Sequence, residues 1–175
     1  MRTSAATLLF SLLAVACATC PPPPALVVAS AGERGAIDAV LDGWHAAAAS
    51  SDLEGYFARM TPDAVFLGTD ETERWSVEQF RAYARAPFSE GHGWVMRSVR
   101  RDVTVRGDTA WFDEDLETVN LGAARGSGVL LRDEDGTWRI AHYNLTITVP
   151  NDRFDEVRGL LASPPAPEAV APAPP

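Results

Sequence analysis

From residue 94 to residue 149 the chain reads as four consecutive runs of alternating or β-branched residues, "WVMRSVRRDVTVR", "TAWFDEDLETVN", "RGSGVLLR" and "TWRIAHYNLTITV", interrupted by Gly107-Asp108, Gly122 and Asp135-Gly136. Period-two alternation broken by tight-turn residues predicts a four-stranded antiparallel meander. Such a sheet has one apolar face that must be covered. The segments able to cover it lie mainly upstream, and this order of elements limits the possible folds more than any other feature.

Upstream, the apolar spacing is helical. Ile37, Val40, Leu41, Trp44 and Ala48 mark an amphipathic first helix over "AIDAVLDGWHAAAA". Ser51 and Glu54 form a capping box for a short second helix bearing Leu53, Tyr56, Phe57 and Met60, which Thr61-Pro62-Asp63 ends. "AVFL" is a short buried strand, "GTDETERW" a polar loop, and Ser76 with Gln79 opens a third helix that stops at Pro87. Asn151 is placed to cap a last helix in which Phe154, Val157 and Leu160 share a face. The expected fold is α+β: a cone-like two-layer fold, with three N-terminal helices packed on a curved, mainly antiparallel sheet, plus a short C-terminal helix. A strongly curved sheet covered in this way encloses a cavity.

The ends of the chain differ from this middle. Arg2, the apolar run Leu8 to Val15 and the small residues Ala14-Val15-Ala16 make residues 1–16 an export signal, too short to span a membrane. Cys17 follows directly and resembles the lipid-attachment cysteine of a bacterial lipoprotein, so the expected location is the cell envelope. The alternative is ordinary cleavage after Ala16, Ala18 or Ala31, giving a periplasmic or secreted form. Residues 17–31 form a proline-rich spacer, 32–161 the domain and 162–175 a Pro/Ala-rich tail. Cys17 and Cys20 both precede the domain, leaving it no internal disulfide, and the polyproline run after them argues against a redox C-x-x-C motif.

At 175 residues and 46% hydrophobic content the chain supports one domain with a sizeable core. The net charge of -9 opposes binding to nucleic acid or to an anionic membrane surface, so any membrane contact is expected through the lipid anchor alone. The histidines His45, His92 and His142 belong to no ligand pair, so no metal is expected. Gly126-Ser127-Gly128 lacks the lysine and following helix of a phosphate cradle, and no cofactor is expected either.

The stretch from Ala36 to Asn151 resembles the SnoaL-like branch of the nuclear transport factor 2 superfamily, which includes ketosteroid isomerases and polyketide cyclases. The resemblance rests on "WHAAAASSDLEGYF", "VFLGTDETERW", "AWFDEDL", "RGSGVLL" and "WRIAHYNLTITVPN", taken together and in order. It implies a pocket at the mouth of a cone, a homodimer formed through the sheet, and membership of a superfamily containing both enzymes and binding modules. The isomerase mechanism needs a tyrosine, a protonated aspartic acid and a carboxylate base. By this resemblance Trp44 stands at the tyrosine's place, Gly68 or its neighbour at the base's and Gly128 near the second acid's, so that mechanism is disfavoured.

Other residues could carry chemistry. His45, at the border of the first helix's apolar face, is either an acid-base group reaching the cavity or a structural histidine. Asp70, Glu73 and Arg74 follow the first strand; they could bind a polar ligand at the mouth, cap the third helix or form a salt-bridged loop. Phe112 and Leu116 flank Glu114 on one strand face, making it the best candidate for a buried carboxylate, with Arg125 as the expected partner. His142 and Asn144 share a face of the last strand opposite Tyr143 and Leu145, and the sequence leaves open which face lines the cone. The first functional expectation is a binding module for a small, partly apolar molecule, with Glu114, Arg125 and His45 as polar wall and Trp44 and Phe112 as packing surfaces. The alternatives are a cofactor-independent isomerase, cyclase or dehydratase using His45 or Glu114, and a structural dimerisation domain.

Overall fold

The computed structural model describes residues 29–162. The expected export signal, Cys17, Cys20, the polyproline run and the tail from residue 163 lie outside the described residues.

Helix α1 (Ala31–Ala49) begins five residues before the expected "AIDAVLDGW" segment. Ser30 caps it, its hydroxyl accepting from the Glu33 amide while the Glu33 carboxylate accepts from the Ser30 backbone. Its buried stripe is Ile37, Leu41, Trp44, His45 and Ala48. Ser51 then takes a left-handed backbone (φ 58°) and accepts from the Gly93 amide through its hydroxyl. The cap of α2 (Leu53–Phe57) is therefore Asp52, which accepts from the Gly55 amide at 2.9 Å, and not the expected Ser51. The helix is short because Thr61-Pro62-Asp63, read as its terminator, already belongs to strand β1 (Met60–Leu67). Proline fits there because the β1–β6 pairing is irregular between Met60 and Val65, sparing its missing N–H a ladder bond.

The loop after β1 returns as a short strand, β2 (Arg74–Ser76), antiparallel to β1. Helix α3 (Val77–Ser89) opens on the Ser76–Gln79 capping box and runs two residues beyond Pro87, its expected stop. The four later strands, β3 (Met96–Arg106), β4 (Thr109–Thr118), β5 (Gly122–Arg132) and β6 (Trp138–Ile147), form the meander. The full six-stranded sheet has the order β2-β1-β6-β5-β4-β3, with β1 parallel to β6 and every other pair antiparallel. Curved and covered by helices, the sheet gives the α+β architecture.

One core lies between the helices and the sheet's inner face. It contains Ile37, Leu41 and Trp44 from α1, Phe80, Ala84 and Phe88 from α3, and Phe66, Phe112, Leu116, Leu130, Ile140, Tyr143 and Leu145 from the sheet. Beyond β6 a 3-10 turn (Asn151–Arg153) precedes α4 (Phe154–Ala162), so Asn151 opens the turn and does not cap the helix. Phe154, Leu160 and Leu161 are exposed.

Candidate functional site

The inner face of β4 presents Phe112, Glu114 and Leu116 to the core, and Glu114 is fully buried. Its Oε1 accepts from the Tyr143 hydroxyl at 3.1 Å and faces His45 Nε2 at 2.8 Å. Its Oε2 accepts from Arg101 Nε and Nη2 at 2.9 and 2.7 Å. Arg101 in turn donates to Asp38 at 3.0 Å and pairs with Asp42 at 2.9 Å, both on α1. Both carboxylate oxygens are thus saturated, and the cluster ties α1 to three strands. Burial by itself would raise the Glu114 carboxyl, but the hydrogen bond and charge of His45, together with Arg101, hold it down at about 2. Burial pushes the Tyr143 hydroxyl well up, and the Glu114 charge adds to this, so Tyr143 stays a neutral donor.

The partner expected for Glu114 was Arg125, and the structure corrects this. Glu114 lies opposite Gly126 in the β4–β5 ladder, whereas Arg125 lies opposite Asp115 on the outer face, where its Nε is 3.6 Å from that carboxylate. The true partner comes from β3. The two-residue Gly107-Asp108 turn sets the β3–β4 register that stands Arg101 across from Glu114, and a bulge between Ser98 and Arg100 shifts it only beyond that pair. Gly126 has a steric reason. A Cβ there would lie 2.2 Å from the Tyr143 hydroxyl oxygen and 2.9 Å from Glu114 Oε1.

Tyr143 and Leu145 point inward, which places His142 and Asn144 on the outer face of β6, away from the interior. Trp44 is buried among Tyr56, Phe66 and Tyr143, and its Nε1 has no hydrogen-bond partner among the described residues. None of Trp44, His45, Phe112 or Glu114 lines the aromatic cavity at the end of the sheet. Their place is beneath it.

A cavity of about 250 Å³ lies at the end of the sheet where β1, β6 and β4 finish and β3 begins. Five aromatic rings wall it: Phe66, Trp75, Phe80, Tyr83 and Trp94. Phe66 and Phe80 stack at 4.0 Å, Trp75 and Tyr83 meet at 4.4 Å, and Phe80 and Trp94 are nearly parallel at 5.6 Å. Phe66 also separates the cavity from the buried cluster, stacking on Tyr143 at 5.8 Å. Of the expected loop residues only Glu73 reaches the cavity. Asp70 bonds Thr72 within the loop, and Arg74 is exposed on a strand whose next residue, Trp75, lines the wall.

Glu73 is held there by the loop. Its carbonyl accepts from the Gly68 amide at 2.9 Å, its amide donates to the Asp70 carbonyl, and its carboxylate accepts from the Asp70 amide at 3.2 Å. A Cβ on Gly68 would lie 2.0 Å from Glu73 Oε2, so the glycine lets the carboxylate close over the backbone at the wall. No group of His, Cys, Asp or Glu among the described residues is arranged to hold a metal ion, and none of their helices is long and apolar enough to cross a membrane.

The family model for the SnoaL-like domain matches residues 37–150, which takes in both the buried cluster and the cavity. The chain belongs to the SnoaL-like family. No curated protein matches it. Its fold is similar to that of a nuclear transport factor 2-like protein from Pseudomonas putida (15% identity, 70% of this chain and 92% of that one, TM-score 0.60). A cystatin-like-fold domain from Nostoc punctiforme is also similar (16% identity, 78% and 90%, TM-score 0.61), as is a ketosteroid isomerase-like protein from Parabacteroides distasonis (16% identity, 65% and 86%, TM-score 0.53). At such identities the likeness concerns the fold alone.

In this SnoaL-like domain the aromatic wall was the part missed in sequence. Phe66 and Phe80 look like ordinary core residues, and Trp75 falls in a stretch that reads as loop. The available signal was Phe80 and Tyr83, one helical turn apart after the Ser76 cap, with two tryptophans in the flanking segments.

Proposed function

We propose that this SnoaL-like domain is a binding module for a small, partly apolar molecule held in the cavity at the end of its curved sheet, and that it works in the cell envelope. The observation that carries the reading is a preformed 250 Å³ space walled by five aromatic rings, a size and lining suited to a small organic ligand. Beneath it the saturated Glu114 cluster serves as the rigid floor. Protein extracted from its native envelope and examined by native mass spectrometry is expected to carry a bound small molecule, and Trp94→Ala is expected to lose it while keeping the fold. A ligand retained in that variant would remove the cavity from consideration.

The envelope location rests on residues 1–16 and on Cys17. Membrane-fraction protein that becomes soluble in Cys17→Ser would support a lipid tether, and cytoplasmic protein in both cases would overturn it. A cofactor-independent acid-base reaction is the second reading, and what favours it is the Glu73 carboxylate held against an apolar wall. His45 and Glu114 do not serve this reading, because their polar atoms are engaged with each other out of reach of solvent.

A further inference from the structure

The charge pattern around the cavity narrows what it can hold. Glu73 is the one charged side chain on its lining, and no arginine, lysine or histidine lies on the wall with it. Among the described residues no ion pair joins Glu73 to a cation. Among the described residues its carboxylate accepts only a backbone amide within its own loop. In contrast, every other buried or half-buried acid of the cluster below, Asp38 and Glu114, faces an arginine.

The rings tell the same story independently. Arginines do stack on aromatic faces elsewhere in the protein, Arg81 over Phe57, Arg106 over Trp111 and Arg132 over Trp138. None stacks on the five rings of the cavity. Trp75, Tyr83 and Trp94, the three electron-rich rings of the wall, therefore keep their negative faces free of any protein cation among the described residues. Tyr83 and Trp94 stand nearly parallel at 6.3 Å, and Tyr83 is about half exposed, so this side of the wall is the one a ligand meets on entry. A carboxylate without a counter-ion among the described residues, beside indole and phenol rings that carry no protein cation, makes a site of negative potential. The net charge of -9 reinforces it at longer range.

We propose that the cavity takes a small organic ammonium ion, its charged head set among Trp75, Tyr83 and Trp94 with Glu73 as counter-ion and its apolar part against Phe66 and Phe80. This deepens the binding reading and rests on it. An anionic ligand would meet Glu73 with nothing to balance it, and a neutral one would leave that carboxylate partly desolvated and unpaired.

The test compares benzyltrimethylammonium with its uncharged analogue, in which carbon replaces the nitrogen, by calorimetry and by quenching of tryptophan fluorescence. The ammonium ion is expected to bind about tenfold more tightly than the analogue. Glu73→Gln should weaken the ammonium ion by about the same factor and leave the analogue unchanged. Tyr83→Leu, at an exposed position where folding is not at risk, should weaken the ammonium ion more than the analogue. Equal binding of the two probes, or full affinity in Glu73→Gln, would overturn the ammonium assignment while leaving a small-molecule cavity in place. If neither probe binds but the neutral dye Nile red does, and Trp94→Ala abolishes it, the assignment falls and the binding reading stands. If none of the three binds, both fall.

Discussion

Glu114 is the residue on which the interior depends. A buried carboxylate without partners would be very costly, and here it is accommodated because donors from α1, β3 and β6 converge on it. Glu114→Gln keeps the shape but leaves Arg101 and His45 facing a neutral amide. Its expected cost is about 3 to 5 kcal/mol, read by urea denaturation, and a loss below 1 kcal/mol would show the cluster to be dispensable. The same residue sets an acid limit. Its carboxyl stands at about 2 in the folded protein against an ordinary 4.5, so the unfolded chain takes up the proton first. The contribution, about 3 kcal/mol, is therefore full above roughly pH 5 and drains away as the pH falls toward 2. Melting temperatures across this window should fall with acidification, and the slope should flatten in Glu114→Gln. The sequence made Glu114 legible as a buried acid, since it stands between Phe112 and Leu116 on a period-two strand. Its partner was legible as well, although Arg125 was the one expected. Counted back from the Gly107-Asp108 turn, Arg101 falls opposite Glu114 and shares the inward face of Val103 and Val105; the bulge at Val99 lies beyond this pair.

At the scale of elements, α3 connects fold and site. Its inner positions Phe80, Ala84 and Phe88 anchor it to the core, while Phe80 and Tyr83 also face the cavity and Trp75 immediately precedes its cap. The Ser76–Gln79 box fixes where the helix starts, and so where these rings stand. Ser76→Ala is expected to cost about 1 kcal/mol in stability and to weaken ligand binding as well, because the cap positions Trp75 and Tyr83 together. Thermal melts and probe titrations on the same variant separate the two effects; unchanged affinity beside lowered stability would mean that the rings hold their places by packing alone. This cap and the meander could be read in the sequence because both are local signals, a four-residue motif and an alternation broken by turns. The parallel contact between β1 and β6 could not. It joins segments far apart along the chain, and the run "AVFL" is too short to declare either a partner or a direction.

For the molecule as a whole, the two faces of the sheet have different roles. The inner face is consumed by the core and the cavity, and the outer face carries His142, Asn144, Arg125 and an arginine-acid array in which Arg100 meets Asp102, Asp113 and Asp115. Beside that array lies an apolar strip. Trp111 and Leu131 are each 38% exposed, with Val129 directly opposite Trp111 in the β4–β5 ladder. Tryptophan and branched aliphatics on an open sheet face, next to charges of both signs, have the composition of an interface able to match its own copy about a two-fold axis. A sheet-to-sheet homodimer is the expected assembly, with the aromatic strips in contact and the arginine-acid arrays at the rim. Trp111→Glu should split it, since the new charge would be buried against a second copy of itself, yet leave the fold intact because Trp111 faces away from the core. Light scattering after size exclusion measures this. A dimer in the parent protein and a monomer of unchanged melting behaviour in the variant would establish the face, whereas a parent monomer at all concentrations would overturn the dimer.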